Sequence, residues 1–317
     1  MQFAVEAWDP DYGTGGDAGA LDASTDTVDA SLEFPVDEWR PIDPPSVDEE
    51  ATIYFVDGVR RIDARIWVTD GPRVLPGSCA TVAAGVVACS PGSAVIHDIA
   101  VRHLVLTPPT DTAADIDTEF GRYEHVEITT GSPEDLYLGI HEEMTRLESQ
   151  TMPDLDGEEL SDSLIVFDGP LRGRSTPGAV GLIKTQHVQY LELDQQSTVI
   201  ELRAGQRTPL FVIGKGRFAR WSWYLRLPGP LTHGWAGIVR CEMPTASSDH
   251  EAGVAAAAQL ANRVSAALPR FASEPHKEHR APQNLYPISG LERTLRNRLG
   301  DQRLLQRGLR RASQAAS

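Results

Sequence analysis

Apolar residues recur along the chain in two rhythms. Residues 51–57, 59–68, 79–89 and 94–106 are short β-rich runs separated by turn residues, which predicts strands joined as an antiparallel meander. Gly58 is the expected turn between the first two, and the run 79–89 is rich in small residues, where another element packs close. From 132 to 150 the period becomes 3.6. Leu136, Ile140, Met144 and Leu147 share one face, and Ser132-Pro133-Glu134-Asp135 is a helix start. A further mostly apolar run, residues 163–168, predicts a strand. Residues 198–202, 210–213, 221–227 and 235–243 read as more strands, 251–267 as an Ala-rich helix, 269–288 as a Pro/His-rich connector and 289–311 as a basic helix.

Two of these runs close on the same dipeptide. Ile53-Tyr54-Phe55-Val56 leads into Asp57-Gly58, and Leu164-Ile165-Val166-Phe167 into Asp168-Gly169. Singly, an Asp-Gly after a strand is a turn. A carboxylate at the end of a buried strand is costly unless it is paired or binds a cation. Two such ends suggest two carboxylates at one sheet edge. Glu148, with Glu143 as the alternative, supplies a third acid from the helix, although a lone helix acid usually faces solvent. Converging carboxylates suit two Mg²⁺ or Mn²⁺ ions, and hard oxygen donors disfavour zinc. Lys184 lies just beyond the second Asp-Gly and is a candidate for holding a phosphate or orienting the nucleophile. His141-Glu142 is not a zinc-protease motif, because Thr145 stands where the second histidine is needed.

Charge adds a second layer. The net charge is −16, which argues against a nucleic-acid partner until its distribution is considered. Residues 1–50 carry fourteen Asp or Glu and one basic residue, Arg40, whereas 270–311 carry ten Lys or Arg against four acids. The basic end is either a solvated face or a surface for a phosphate backbone or an acidic partner. Arg60, Arg172, Arg174, Lys277 and Arg280 are the candidate DNA contacts. Trp221, Trp223 and Tyr224 either stack bases or fill the core. The expected organisation is an acidic, loosely structured segment at 1–50, in which Trp39 and Pro41 to Pro45 could dock, then one domain at 51–311 and a tail at 312–317. Cys79, Cys89 and Cys241 form no CxxC pair and read as reduced core residues. No apolar stretch reaches 18 residues and no secretion signal is visible, so a cytoplasmic protein without a membrane span is expected.

Antiparallel strands, a helix, a strand and then mixed elements is the order of a ribonuclease-H-like α/β core, here with a C-terminal helical extension. In that fold Asp57, Glu148 and Asp168 fall on the elements whose acids meet. Six stretches carry a more specific resemblance. They are Phe55-Val56-Asp57-Gly58-Val59-Arg60, Asp168-Gly169-Pro170-Leu171, Gly181-Leu182-Ile183-Lys184-Thr185, Trp223-Tyr224-Leu225-Arg226-Leu227, Val239-Arg240-Cys241-Glu242 and Arg280-Ala281-Pro282-Gln283-Asn284-Leu285-Tyr286-Pro287-Ile288. In order and spacing they resemble the NurA family of DNA-repair nucleases, in a bacterial, actinobacterial-type branch, over roughly residues 50–311. The resemblance implies a homodimer, Mn²⁺-dependent single-strand endonuclease and 5′-to-3′ exonuclease activity, and partnership with a hexameric HerA-type ATPase. It makes Asp57 and Asp168 the metal aspartates and Glu148, or Glu143, the helix acid. Archaeal members carry a late histidine. Here Glu292 falls at that place, and His276 or His279 could fill the role from the preceding loop. A catalytically weak adaptor that binds the motor and DNA is the alternative that this departure keeps open.

Overall fold

A computed structural model describes residues 22–23, 26–46, 51–112, 114–171, 174, 176, 178–185, 188–216, 219–245 and 250–315. In chain order its strands are β1 (Asp22–Ala23), β2 (Val28–Asp29), β3 (Ile53–Asp70), β4 (Arg73–Ser90), β5 (Ser93–Thr107), β6 (Ile116–Thr118) and β7 (Gly121–Glu127). They continue as β8 (Leu164–Asp168), β9 (Ala179–Ile183), β10 (Val188–Gln189), β11 (Phe211–Ile213), β12 (Arg220–Arg226) and β13 (Ile238–Pro244). The helices are α1 (Pro133–Gln150), α2 (Gly157–Asp162), α3 (Leu193–Glu201), α4 (His250–Ala267), α5 (Tyr286–Arg298) and α6 (Gln302–Ala315). The class is the expected one, α/β with a mixed sheet flanked by helices and with helices at the C-terminal end.

The chain divides into two compact units: Met1–Phe55, Ala88–Ala94 and Leu155–Ser289 form the first, and Val56–Val87, Val95–Asp154 and Gly290–Ser317 the second. In the first, the strand order is β2-β11-β12-β13-β9-β8, antiparallel except for the parallel pair β8 and β9. The short pair β1 and β10 is separate and parallel. A parallel pair needs a crossover, and here the chain leaves β8 at Asp168 and re-enters β9 at Ala179. The core of this unit includes Val199, Leu202, Phe211, Ile213, Tyr224 and Ile238. Residues 26–46 join it. Trp39 packs at 6.4 Å from the Phe211 ring and donates its indole N–H to Ala30 O. Arg207, 1% exposed, makes a two-pronged bond to Glu33 at 2.6 and 2.9 Å and donates to Asn262 Oδ1 at 2.7 Å. Glu33 also accepts the Leu210 N–H.

In the second unit the order is β3-β4-β5-β7-β6, with β5 and β7 parallel. A two-residue turn at Gly71-Pro72, with Gly71 at positive φ, joins β3 to β4 within this unit, and the turn from β4 to β5, Pro91-Gly92, belongs to the first unit. Small residues on β4 let other layers approach. A Cβ on Gly85 would stand 2.9 Å from Asp98 O and 3.2 Å from Leu291. Helix α1 starts as expected, with the Ser132 hydroxyl accepting the Asp135 N–H, and buries Ile140, Met144 and Leu147 against Ala80, Val82, Leu104 and Leu106. Helices α5 and α6 are tied to β3 by Arg61, whose guanidinium donates to Leu299 O and Gly300 O, and by Gln306, which donates to Asp63 O. The Arg61 bonds satisfy carbonyls that the end of α5 leaves open.

Three expectations at the level of elements are corrected. Gly58 is not a turn, because β3 runs through it for 18 residues and Asp57 sits inside a strand. Residues 198–202 are not a strand but the end of α3. Gln195, Thr198 and Val199 are its buried positions, at helical spacing, so packing overrides the β-branched composition. The basic helix 289–311 is two helices, broken where Gly300 takes a φ of 76°.

Candidate active site

Asp168 is the last residue of β8, and Lys184 directly follows β9, so both stand at the carboxyl ends of two adjacent parallel strands. Crevices outside such strand ends are where open α/β sheets bind ligands. Lys184 Nζ lies 2.6 Å from Asp168 Oδ1, and its side chain is 3% exposed. It also donates to Asn284 Oδ1 at 2.7 Å. An ammonium so buried requires its carboxylate.

Around this pair the first unit builds a second layer. Glu278 accepts from Asn284 Nδ2, from the Ser289 hydroxyl and from the Arg280 backbone and guanidinium. Burial pushes the Glu278 carboxyl up, but the Ser289 and Arg280 bonds outweigh it and hold the group down from 4.5 to about 2. On the other side, Glu242 accepts the Leu171 N–H at 2.8 Å and the Arg240 guanidinium at 2.9 Å. This pins the Asp168-Gly169-Pro170-Leu171 turn, in which Gly169 has a φ of 90°. Because the folded value of Glu278 lies below the unfolded one, its contribution is complete above pH 4.5 and is lost as the pH falls toward 2. At pH 7, Glu278→Gln should therefore be less stable than wild type by about 2 kcal/mol, after allowance for solvent screening. In urea unfolding, that difference should close between pH 4.5 and 2.

The second unit holds the other two acids. Asp57 is 6% and Glu148 5% exposed, so Glu148 is not a solvent-facing helix acid. Glu148 packs directly on Gly58: a Cβ there would stand 2.3 Å from Glu148 Oε1 and 2.8 Å from Met144 Cγ. The missing side chain of Gly58 is thus the cradle that brings the helix carboxylate beside the strand that carries Asp57. Asp57 itself accepts the Gly58 N–H at 2.8 Å. Glu143, the alternative helix acid, is engaged elsewhere, with Arg102 at 2.7 Å and Arg146 at 2.6 Å. Geometry therefore favours Glu148.

The remaining candidates fall into different settings. Arg172 lies outside the described residues. Arg174 lies over the Phe167 ring at 4.5 Å. Arg60 donates to the Tyr137 hydroxyl and lies 4.6 Å from its ring centroid. Lys277 pairs with Glu274 at 3.0 Å, and Arg280 is buried against Glu278. His276 is exposed, with Glu274 at 3.7 Å, His279 is exposed beside Glu278, and Glu292 pairs with Arg296. Trp221, Trp223 and Tyr224 are core residues, 3%, 0% and 2% exposed. The three cysteines are buried, and burial raises each thiol, Cys79 to about 12. Asn284 and Arg240, which are neither acids nor histidines, and Glu242, which ends no apolar run in Asp-Gly, stand around the Asp168–Lys184 pair without being candidates from the sequence. The signal for Arg240 and Glu242 was two opposite charges at i and i+2 in an otherwise apolar strand.

A hard divalent cation would need oxygen donors, and the buried carboxylates of Asp57 and Glu148 are such donors. Among the described residues no group of three His, Cys, Asp or Glu side chains is placed to hold a metal. Among the described residues, no helix is long and apolar enough to cross a membrane.

No family model matches the chain, and no curated protein matches it. Among solved structures it is similar to the NurA nuclease from Sulfolobus solfataricus, with 10% identity and a TM-score of 0.43 over 83% of this chain and 86% of that one. It is also similar to endonuclease V from Bacillus subtilis, with 10% identity and a TM-score of 0.31 over 80% and 83% of the two chains. Likeness at these scores transfers neither activity nor partner, and the functional reading rests on this chain's own residues.

Proposed function

We propose that the protein is a metal-dependent deoxyribonuclease. The observation that carries this reading is the buried Asp168–Lys184 pair, fixed by Asn284 at the carboxyl ends of two parallel strands. The Gly58 cradle beneath Glu148 supports it from the second unit. Asp57 and Glu148 of the second unit would offer oxygen donors to Mn²⁺ or Mg²⁺, Asp168 is engaged by Lys184, and His276, exposed on its turn, is left out of the set. When bound, such ions supply an activated water and stabilise the leaving oxygen of a phosphodiester. The chain's own residues do the rest. Lys184 places positive charge where a phosphate oxygen would sit, Asn284 and Asp168 hold that ammonium in one position, and Glu242 keeps the turn after Asp168 from shifting. In keeping with the sequence resemblance, the substrate is single-stranded DNA or a DNA end, cut by endonuclease and 5′-to-3′ exonuclease action. The assembly is a homodimer working with a HerA-type hexameric ATPase in end resection, repair or defence.

The test is cleavage of single-stranded DNA in Mn²⁺, with and without such an ATPase. Wild type cuts, Asp57→Ala does not, and Gly58→Ala, whose new methyl displaces the Glu148 carboxylate, is slower by about a hundredfold. The same methyl would stand 2.8 Å from Met144 Cγ in the packed core, so Gly58→Ala should also lower the Tm. Wild type and Asp57→Ala equally inert under both conditions would sink the nuclease reading. A non-catalytic adaptor is the second reading, favoured by the absence of a three-ligand metal group among the described residues. It predicts DNA or motor binding without any cleavage in the same experiment.

A further inference from the structure

Beside Lys184, within the first unit, lies a cavity of about 310 Å³. That is at the lower end of small-molecule sites, room for one flat ring system with its sugar. Three aromatic rings line it, those of Tyr190, Tyr224 and Trp235. They are fixed before any ligand arrives. Tyr224 stacks on Phe211 at 5.7 Å, Trp235 meets Tyr224 edge-on at 5.7 Å, and the Arg240 guanidinium lies 4.9 Å from the Tyr190 centroid. Rings held in place this way lose little freedom when something stacks on them.

The charge of the lining narrows the ligand. Although the chain carries a net charge of −16, no carboxylate lines the cavity among the described residues. The groups there able to carry positive charge are Lys184 and the imidazoles of His233 and His279. Aromatic walls and neutral amides, with no carboxylate among the described lining residues, suit a flat uncharged heterocycle attached to an anionic backbone. Gln196 donates one amide hydrogen to Leu191 O at 2.8 Å, which leaves its carbonyl oxygen for an exocyclic amino group. Gln283 donates to Lys184 O and Ile238 O, so the wall of the cavity and the Asp168–Lys184 pair are braced together.

We propose that this cavity takes one unstacked nucleobase of a single DNA strand and so sets where that strand lies relative to Asp168. The placement rests on the nuclease reading, but the base binding does not. The experiment measures binding of a short fluorescent oligodeoxycytidylate, whose bases carry an exocyclic amino group, and of an abasic strand of the same length, in EDTA so that nothing is cut. Wild type should prefer the strand with bases by about tenfold. Trp235→Ala should abolish the preference and Trp235→Phe retain most of it. Thr232→Trp, at an exposed lining position, should fill the cavity and remove the preference without touching the core. Equal binding of the two strands by wild type, or an undiminished preference in Thr232→Trp, overturns the proposal. Base preference without cleavage in Mn²⁺ would count against the nuclease reading alone. Cleavage without base preference would count against the cavity alone.

Discussion

Replacing Asp168 with alanine is expected to cost about 3–5 kcal/mol of stability, because it leaves the Lys184 ammonium buried with only a neutral amide beside it. Cleavage of DNA should fall on the order of a thousandfold in the same protein. The two losses have different causes and can be separated. Pairing Asp168→Ala with Lys184→Met removes both charges at once. It should recover most of the stability, since the penalty came from the orphaned charge and not from the loss of an attraction. It should recover no activity, since the phosphate-binding charge and the carboxylate are both gone. Urea midpoints of the two single variants and the double variant, read as a cycle, give the coupling between the residues. A double variant no more stable than Asp168→Ala would show that the pair is not buried as described.

Arg207→Ala is expected to be destabilised by a similar amount, about 3–5 kcal/mol. Arg207 is the fork to which Glu33, Asn262 and Thr208 O all attach. Its loss strands the Glu33 carboxylate and releases the stretch around it, so limited proteolysis should cut first within residues 26–46. Arg207→Lys should rescue only part of the stability, because an ammonium cannot make two parallel bonds to a carboxylate. A variant that resists protease like wild type would remove this anchor from the account of the fold.

The periodic elements were legible because their burial is local. Helix α1 announces itself by Ser132-Pro133 and a one-sided apolar stripe, and β8 by an unbroken apolar run. Tertiary choices were less legible. Gly58 reads as a turn residue, yet its role is to lack a side chain where Glu148 needs room, a fact set by a helix 90 residues away. Thr198-Val199-Ile200 has strand composition, and only burial at helical spacing shows it to be α3. Among the candidate residues, Asp57, Asp168 and Lys184 are nameable from their own neighbours in sequence. Asn284 and Glu242 were not, because an amide or an acid gains a role there only through contacts 100 and 71 residues away. The acidic composition of residues 1–50 suggests a loose tail, whereas one of those acids, Glu33, is bound two-pronged by a buried arginine.

The bonds from Arg61 to the end of α5 and from Gln306 to Asp63 have a consequence for the order of events during synthesis. The second unit is assembled from Val56–Val87, Val95–Asp154 and Gly290–Ser317, so its strands and α1 leave the ribosome well before its closing helices. At about 5–20 residues per second the interval is about 7–27 s. Throughout it the faces of β3 and β4 destined for α5 and α6 lack their cover. The nascent chain therefore passes through a window in which a chaperone, or premature pairing with another chain, competes with its own last two helices.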